Sequence, residues 1–196
     1  GGSFAFSVKE NNYLGRGVKV AANADVSENS VRGSLSFIDT NYNYTGKDLR
    51  YNLENIKNDS EDSGYENRVI GAGVSIAYEQ FKDIYFSPGL NLTFDDLSAD
   101  SSASALLKKQ SGTSTDLNFN YGLSTDQRDR SFMPTSGHYT SFTQVLPLFS
   151  EEPYIKNGFT SNHYREFNDN IIGAFKFNIN SVNSLGDVYV RVSKRL

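Results

Sequence analysis

The residues able to carry out chemistry are few in this sequence and are not grouped. Cysteine is absent and there are two histidines, His138 and His163, which excludes disulfides, thiolate metal sites and cysteine nucleophiles. A metal site would need two or three ligands at fixed spacing, and no such spacing surrounds either histidine. We expect both histidines to lie on the surface or in a lumen, and we predict no metal, no cofactor and no enzymatic activity.

The remaining candidate sites have simpler explanations. Asp59, Glu61 and Asp62 lack the spacing of a calcium loop, and we expect them to lie in a solvated loop. The stretch 15–17 (GRG) is not followed by a helical pattern, so it does not indicate a phosphate-binding loop. No G-x-S-x-G nucleophile elbow occurs, although counting residues does not exclude a Ser–His–Asp site.

One segment, DQRDRSFMPTSG at 126–137, has an unusual composition. Pro134 followed three residues later by Gly137 is a strong turn signal, because proline fixes φ and glycine allows a positive φ. Arg128 and Asp129 can pair with neighbouring charges or meet a lipid headgroup boundary, with an aromatic residue anchoring beside them. From the residues alone, a charged hairpin turn explains the segment about as well as a functional site does.

The elements that must position these residues are strands. Apolar and polar residues alternate with period two in most of the chain, as in strands with one apolar face. The clearest alternating runs are 18–26, 31–37, 49–54, 70–79, 84–94, 117–124 and 171–180, and the weaker ones are 3–10, 138–148 and 154–166. They predict an all-β fold, a single antiparallel meander of roughly ten strands with about ten residues each. Helix is expected at most as a turn or two within 103–110.

The composition limits the class of protein. A chain of 196 residues is long enough for one domain with a sizeable core. A net charge of −4 without a basic run argues against a nucleic-acid partner. No apolar run approaches the roughly 20 residues of a membrane helix, and no signal peptide is visible. A mean hydropathy of −0.50 still agrees with a transmembrane β-barrel, because one face of each strand is then wet.

Alternation alone does not distinguish a membrane barrel from a soluble sandwich, because both have one polar face. Strands of roughly 9–11 residues match a tilted membrane crossing, whereas soluble strands average about 5–6. Aromatic residues also collect near the predicted strand ends, as in membrane girdles. Long connections are expected at one end and short turns at the other. The expected long connections are 58–67 and 96–115, and the expected short turns are 11–17, 79–83 and 168–170. The connection 27–30 is an exception, because it falls at the end of the long connections but is short. We therefore predict a barrel with a wet, polar lumen.

The segment 126–137 resembles a turn of the BamA family of outer-membrane protein insertases, also called the bacterial surface antigen family. The matching residues are Asp126, Arg128, Asp129, Phe132, Pro134, Thr135 and Gly137. A second resemblance is to the family's N-x-x-G-x-G turn near the start of the barrel, matched by Asn12, Gly15 and Gly17. The order and spacing of the other strands are similar to the first two-thirds of that barrel, so the likeness covers nearly the whole chain.

This resemblance implies a fold and a function. We expect residues 1–196 to form a single transmembrane domain, an incomplete barrel of the sixteen-strand type that is truncated at both ends and lacks periplasmic docking domains. The implied function is to fold and insert outer-membrane proteins through a lateral gate in the bacterial outer membrane, without covalent chemistry. The implied partners are the lipid bilayer, unfolded outer-membrane proteins and the lipoproteins of an assembly complex.

The family also has a loop with an R-G-F signature that folds back into the lumen. That signature does not occur in this sequence, and by analogy 187–196 corresponds to the beginning of the loop. As a hypothesis, Arg128 and Asp129 belong to a polar network that steadies the barrel against this loop.

Other functions stay open from the sequence. One is an independent ten-stranded outer-membrane barrel, acting as a pore, a structural barrel or a surface hydrolase. Another is a related barrel for protein secretion, translocation or organelle import. A third is a soluble β-sandwich binding module, which would cover the apolar face of the strands with a second sheet.

Overall fold

The structure, a computed structural model, describes residues 2–168, 171–187 and 189–195. Its strands form one antiparallel sheet in chain order, which confirms the predicted all-β meander. The strands are β1 (Ser3–Tyr13), β2 (Val18–Ser27), β3 (Ser30–Asp39), β4 (Asp48–Ser60), β5 (Tyr65–Phe81), β6 (Ile84–Ala99), β7 (Gly112–Asp126), β8 (Gly137–Ser150), β9 (Tyr154–Asn168) and β10 (Ile171–Ser184). A short helix, α1 (Ala105–Lys109), lies within the predicted helical stretch and is capped by the Ser104 hydroxyl, which accepts from the Leu107 amide. In the part of the chain that is described, no helix is long and apolar enough to cross a bilayer.

Successive connections lie at opposite ends of the sheet. We call the end with connections 14–17, 40–47, 82–83 and 127–136 the lower end, and the end with 28–29, 61–64, 100–111 and 151–153 the upper end. Among the described residues, β1 pairs only with β2 and β10 pairs only with β9, so the sheet does not close on itself.

The two faces of the sheet differ in polarity as the alternation predicts. On β6, Leu92 and Phe94 point to one face and are exposed, whereas Thr93 and Asp95 point to the other and are buried. Phe94 lies opposite Ile70 on β5, so the apolar face continues across strands. The strands that the structure describes form a single sheet, and no second sheet covers this outer face. The β-sandwich alternative is therefore wrong, and the outer face has the composition that contacts hydrocarbon in membrane barrels.

The strands extend further than their apolar residues indicate. The predicted long loop 58–67 is wrong, because β4 and β5 continue toward the upper end and leave only 61–64 as the connection. An ion pair between Lys57 Nζ and Glu66 Oε2, 3.0 Å long, joins the two strands in this extension. Polar side chains on both faces make these strand ends resemble a loop in sequence, although the backbone pairing of β4 with β5 continues through them.

The predicted division into long connections at one end and short turns at the other is also wrong. The connection 100–111 lies at the upper end, but 40–47 and 127–136 lie at the lower end with the short 82–83 turn. In the predicted turn 168–170, residues 169 and 170 lie outside the described residues.

Candidate functional site

A cluster of buried charges on the inner face of β6 and β7 is the most developed polar site in the described residues. Asp95 pairs with Ser114 in the ladder, which places Asp116 one inward position further along β7. Both carboxylates are 1% exposed. Asp95 Oδ1 accepts a hydrogen bond from Asn67 Nδ2 at 3.2 Å, and Asp116 Oδ1 accepts from Ser150 Oγ at 2.5 Å. The strands thus hold two carboxylates side by side, where burial is costly unless cations pair with them.

The chain after β10 supplies those cations by folding back onto the inner face. Arg191 is 6% exposed, and its Nε lies 3.0 Å from Glu152 Oε2 in the β8–β9 connection. Its Nη1 donates to the carbonyl oxygens of Gly112 at 3.1 Å and Asp95 at 3.4 Å. The guanidinium therefore joins three elements, and its planar donors suit such a buried position.

Lys194 is the second cation of the cluster. Its Nζ lies 3.0 Å from Asp116 Oδ2 and 3.7 Å from Asp95 Oδ2. The Ser193 hydroxyl also donates to Asp95. Two cations of one segment thus face three carboxylates of the wall and of the 151–153 connection.

Gln110, just after α1, fixes the backbone of the same segment. Its Nε2 donates to the Val190 carbonyl at 3.2 Å, and its Oε1 accepts from the Val192 amide at 3.3 Å. The structure therefore places 189–195 on the inner wall, where the family resemblance puts the start of a loop that enters the lumen. Residues 188 and 196 lie outside the described residues.

The inner face beside Lys194 is polar and recessed. A cavity of about 360 Å³ is lined by charged and amide side chains that include Glu54, Lys156 and Asn67. The Oδ1 atoms of Asn67 and Asn91 have no hydrogen-bond partner in the protein. Buried amide oxygens of this kind normally accept hydrogen bonds from water, so this face has the chemistry of a wet lumen.

The turn motif 126–137 forms a compact structure at the lower end. Arg128 Nε and Nη2 donate to the two carboxylate oxygens of Asp126 at 2.7 and 2.6 Å. The guanidinium also lies over the Tyr139 ring, 5.3 Å from its centre. The bidentate hydrogen bond that Arg128 donates to Asp126 raises the pKa of Arg128 further above its ordinary value, so the pair stays charged.

Asp129 organises the other half of this turn. Its Oδ1 accepts from the amides of Thr135 and Ser136 at 3.0 and 3.1 Å, and its Oδ2 accepts from Thr135 Oγ1 at 2.9 Å. The Ser136 amide and the Thr135 hydroxyl bonds hold the pKa of the Asp129 carboxyl below its ordinary value. A carboxylate that binds backbone amides in this way fixes the path of the chain around Pro134.

Gly137 and Phe132 have different roles in the same turn. Gly137 has φ +91°, and a Cβ there would overlap the Gln127 carbonyl oxygen, so glycine is required by both conformation and space. Phe132 is 79% exposed and does not pack on the wall. Its expected role as an anchor stays a prediction.

Arg128 and Asp129 do not contact the re-entrant segment, as we call 189–195, so their hypothesised role in steadying the barrel against the lumen loop stays a prediction. Both lie at the lower end, and their side-chain contacts are within the turn and with Tyr139. Asp116, which holds Lys194, is ten residues from Asp126 along β7, a distance of about 33 Å in an extended strand. The network that binds the segment consists of other residues.

The glycine turn between β1 and β2 has the local structure its spacing predicts. Asn12 Oδ1 accepts from the Gly17 amide at 2.7 Å, and the Asn12 carbonyl accepts from the Gly15 amide at 3.0 Å. Gly15 and Gly17 have φ values of +69° and +72°, a conformation that favours glycine. These residues therefore close a β-hairpin at the lower end.

The two histidines lie together, which the sequence did not indicate. His138 and His163 form a cross-strand pair of β8 and β9, with ring centres 5.5 Å apart and planes at 18°. Ser161 Oγ is 3.0 Å from His163 Nε2. Both rings point to the outer face, because His138 and His163 are an even number of positions from the outward pair Phe142 and Phe159.

Comparison with known proteins agrees with this geometry. The family model described as the Omp85 superfamily domain matches residues 12–195. The chain is also similar to the crystal structure of BamA from Haemophilus ducreyi lacking POTRA domains 1–3, with a TM-score of 0.77 and 20% identity. The match covers 94% of this chain and 39% of the BamA chain, so this chain spans well under half the length of that relative. At this identity the likeness shows the fold alone.

Proposed function

The chain belongs to the Omp85 superfamily, and we propose that it forms part of the barrel wall of an insertase. In this proposal the protein folds other β-barrel proteins and releases them into the bacterial outer membrane through a lateral gate. The observation that supports it most is the return of 189–195 onto the inner wall of a sheet whose outer face is apolar. A segment fixed inside the wall by buried ion pairs narrows the lumen, which disfavours a wide pore.

The physical basis of the proposal is the cost of unpaired backbone groups in lipid. Each unsatisfied amide or carbonyl in hydrocarbon costs several kcal/mol, so an incoming strand must pair before it enters the membrane. A barrel that opens along one seam offers a strand edge for that pairing. The meander supplies long strands suited to such a template, up to 17 residues in β5.

We also propose that no covalent step is involved. Asp95 and Asp116 of the inner wall pair with a neighbouring side chain and with the re-entrant segment, which gives them a structural role. Ser161 and His163 are in hydrogen-bond contact, but they lie on the outer face of β9 between two paired strands. The backbone amides around them are used in the sheet, so none is free to stabilise an oxyanion. The proposed partners are lipid, unfolded outer-membrane proteins and the lipoproteins of an assembly complex.

Reconstitution of the full-length protein into phospholipid vesicles tests this proposal. An unfolded outer-membrane β-barrel protein is diluted from urea into these vesicles and into empty ones, and its folding is followed by gel mobility shift. We expect faster folding with the protein, and a smaller acceleration with the variant Lys194→Met, which loosens the re-entrant segment. Lys108→Met, on the exposed helix α1, serves as the matched control.

Equal folding rates in both kinds of vesicle would contradict the insertase proposal. In that case, a large steady ion conductance would indicate a pore. Passage of an unfolded polypeptide into the vesicle interior would instead indicate a secretion barrel.

A further inference from the structure

The outer faces of the adjacent strands β8 and β9 carry several polar side chains, in contrast to the apolar outward positions in the middle of β5 and β10. On β5 the outward positions include Ile70 and Val74, whereas β10 presents Phe175, Phe177 and Ile179. The outward positions of β9 include Asn157, Ser161, His163 and Arg165. Polar side chains on the outer face of these two strands need partners, because the surrounding hydrocarbon offers none.

In the middle of the sheet those partners come from the protein itself. Tyr121 OH donates to Gln144 Oε1 at 2.9 Å, and Gln144 Nε2 donates to Asn157 Oδ1 at 2.6 Å. Asn157 Nδ2 then donates to Ser181 Oγ at 3.3 Å. This row crosses β7 to β10 and satisfies its own hydrogen bonds, so it needs no external ligand.

The lower end of the same face is different, because its side chains are an arginine and two imidazole rings. His138 and His163 are stacked across β8 and β9, and Arg165 occupies the next outward position of β9, about 7 Å further along the strand. Its guanidinium lies over the Phe167 ring, 6.0 Å from the ring centre. Phe167 in turn lies against Gly173, the cross-strand partner of Arg165. The Phe167 ring thus lies beside the guanidinium on the outer face.

Among its described residues, this surface has a basic side chain and no acidic one. No aspartate or glutamate occupies an outward position of β8, β9 or β10 in the ranges that the structure describes. The outward aromatic pair Phe142 and Phe159 lies two positions closer to the upper end than Thr140 and Ser161. Outward aromatic residues thus flank His163 and Arg165 on both sides, with Phe159 toward the upper end and Phe167 toward the lower end, as in the aromatic girdle at the boundary of a membrane barrel.

From this placement we propose that His138, His163 and Arg165 bind the phosphate of a phospholipid headgroup in the adjoining leaflet. We call these three residues the headgroup site. The arginine provides a permanent charge with forked donors that fit phosphate oxygens, the histidines add ring N–H donors, and Phe167 supports the guanidinium from below. The lipid chains then extend along the apolar strip of Phe175 and Phe177. This site is separate from the re-entrant segment and does not rest on the insertase function.

Lipid retention by the purified full-length protein tests the proposal. The protein is exchanged into mixed micelles with equal amounts of phosphatidylglycerol and phosphatidylcholine, and the lipids that stay bound are measured by native mass spectrometry. A basic side chain at an anionic surface is worth about a fivefold preference. We expect the protein to favour phosphatidylglycerol, and Arg165→Gln to reduce that preference about fivefold.

Two further variants make the result specific. Arg68→Gln removes an outward arginine near the upper end of β5, which is hydrogen-bonded to Asn55, and should leave the preference unchanged. Arg165→Lys keeps the charge but loses the planar fork, and should retain most of the preference. A heat-modifiable gel shift reports, independently of lipid, whether each variant folds. Arg165→Lys is the variant that tests the site if Arg165→Gln does not fold.

The proposal is overturned if Arg165→Gln folds and keeps the full preference, or if Arg68→Gln lowers it equally. Free glycerol phosphate is included as a competitor. Failure to displace the lipid supports a headgroup site that needs the membrane anchor, whereas displacement at equal concentration would show a site for soluble phosphate instead and overturn the assignment.

Discussion

The buried cluster at the upper end and the turn at the lower end are built from the same kinds of charged residues, but they are held together differently. In the turn, Asp126 and Asp129 bind partners no more than seven residues away. In the cluster, Arg191 and Ser193 bind Asp95 across 96 and 98 residues of chain. The turn is exposed to water, whereas Asp95 and Asp116 of the cluster are almost fully buried.

This difference determines what each region contributes. Ion pairs exposed to water are worth little, because solvent screens them and the side chains lose entropy on pairing. A buried charge whose partner is removed remains desolvated, which is costly. The cluster should therefore control the stability of the wall with its re-entrant segment, and the turn should control the local path of the chain.

The largest expected effect comes from Asp95→Ala. It leaves Arg191 and Lys194 without one of their carboxylates, and removing one partner of a buried pair costs about 3–5 kcal/mol. Its neighbour Asp96, on the exposed outer face, provides the matched control, since Asp96→Ala should cost less than about 1 kcal/mol. Urea unfolding in detergent micelles measures the free energy of unfolding of both variants. Equal losses would show that burial does not distinguish the two carboxylates.

A smaller effect is expected from Gly137→Ala in the turn. The new Cβ adds an overlap with Gln127 to the strain of a positive φ, and strain of this kind costs about 1–3 kcal/mol. Gly46 also has a positive φ, +72°, but has open space around its Cβ direction. Gly46→Ala should therefore cost only the conformational part, and the difference in urea midpoint between the two variants isolates the overlap. If the two variants unfold alike, Gly137 is required for its φ alone.

The smallest effect is a local dependence on pH through Asp129. Its pKa is below the ordinary carboxyl value of about 3.9, so the charged form is favoured in the folded turn. The stabilisation is fully present above the ordinary value and is lost as pH falls through the folded pKa. In the native protein, hydrogen-exchange protection of the Thr135 and Ser136 amides should be full above the ordinary carboxyl pKa and should fall as the pH falls through the pKa of folded Asp129.

Asp129→Ala should remove this protection at every pH and leave the strand amides of β7 unaffected. Asp62→Ala, in the 61–64 connection at the upper end, is the control that should leave the turn unchanged. Protection that persists in Asp129→Ala would mean that the backbone hydrogen bond between Asp129 and Ser136 suffices to hold the turn.

The same distinction explains what the sequence could predict. The alternation along β6 fixed which side chains face outward, and the spacing of Pro134 and Gly137 predicted the turn, because both signals depend on near neighbours. The cluster depends on residues from β6, β7, the 151–153 connection and the chain after β10. A charged pair such as Asp95 and Lys194 carries no local signal of its pairing.

The errors in strand length have a related cause. Lys57 and Glu66 are polar, so the stretch around them reads as a loop, but a partner strand in register turns it into paired sheet. The pairing of His138 with His163 was missed for the same reason, since it depends on the register between β8 and β9. Periodicity indicates which face a residue occupies but not which residue lies beside it.

The span of the Arg191 and Asp95 contact has a kinetic consequence. Contacts between residues this far apart close long loops of chain, so they form late, whereas the turn can form as soon as its own residues are present. Interactions absent from the folding transition state slow unfolding without speeding folding. The re-entrant segment would then act as a latch that closes only after the wall has assembled, and its removal would shorten the lifetime of the finished sheet while leaving its rate of formation nearly unchanged.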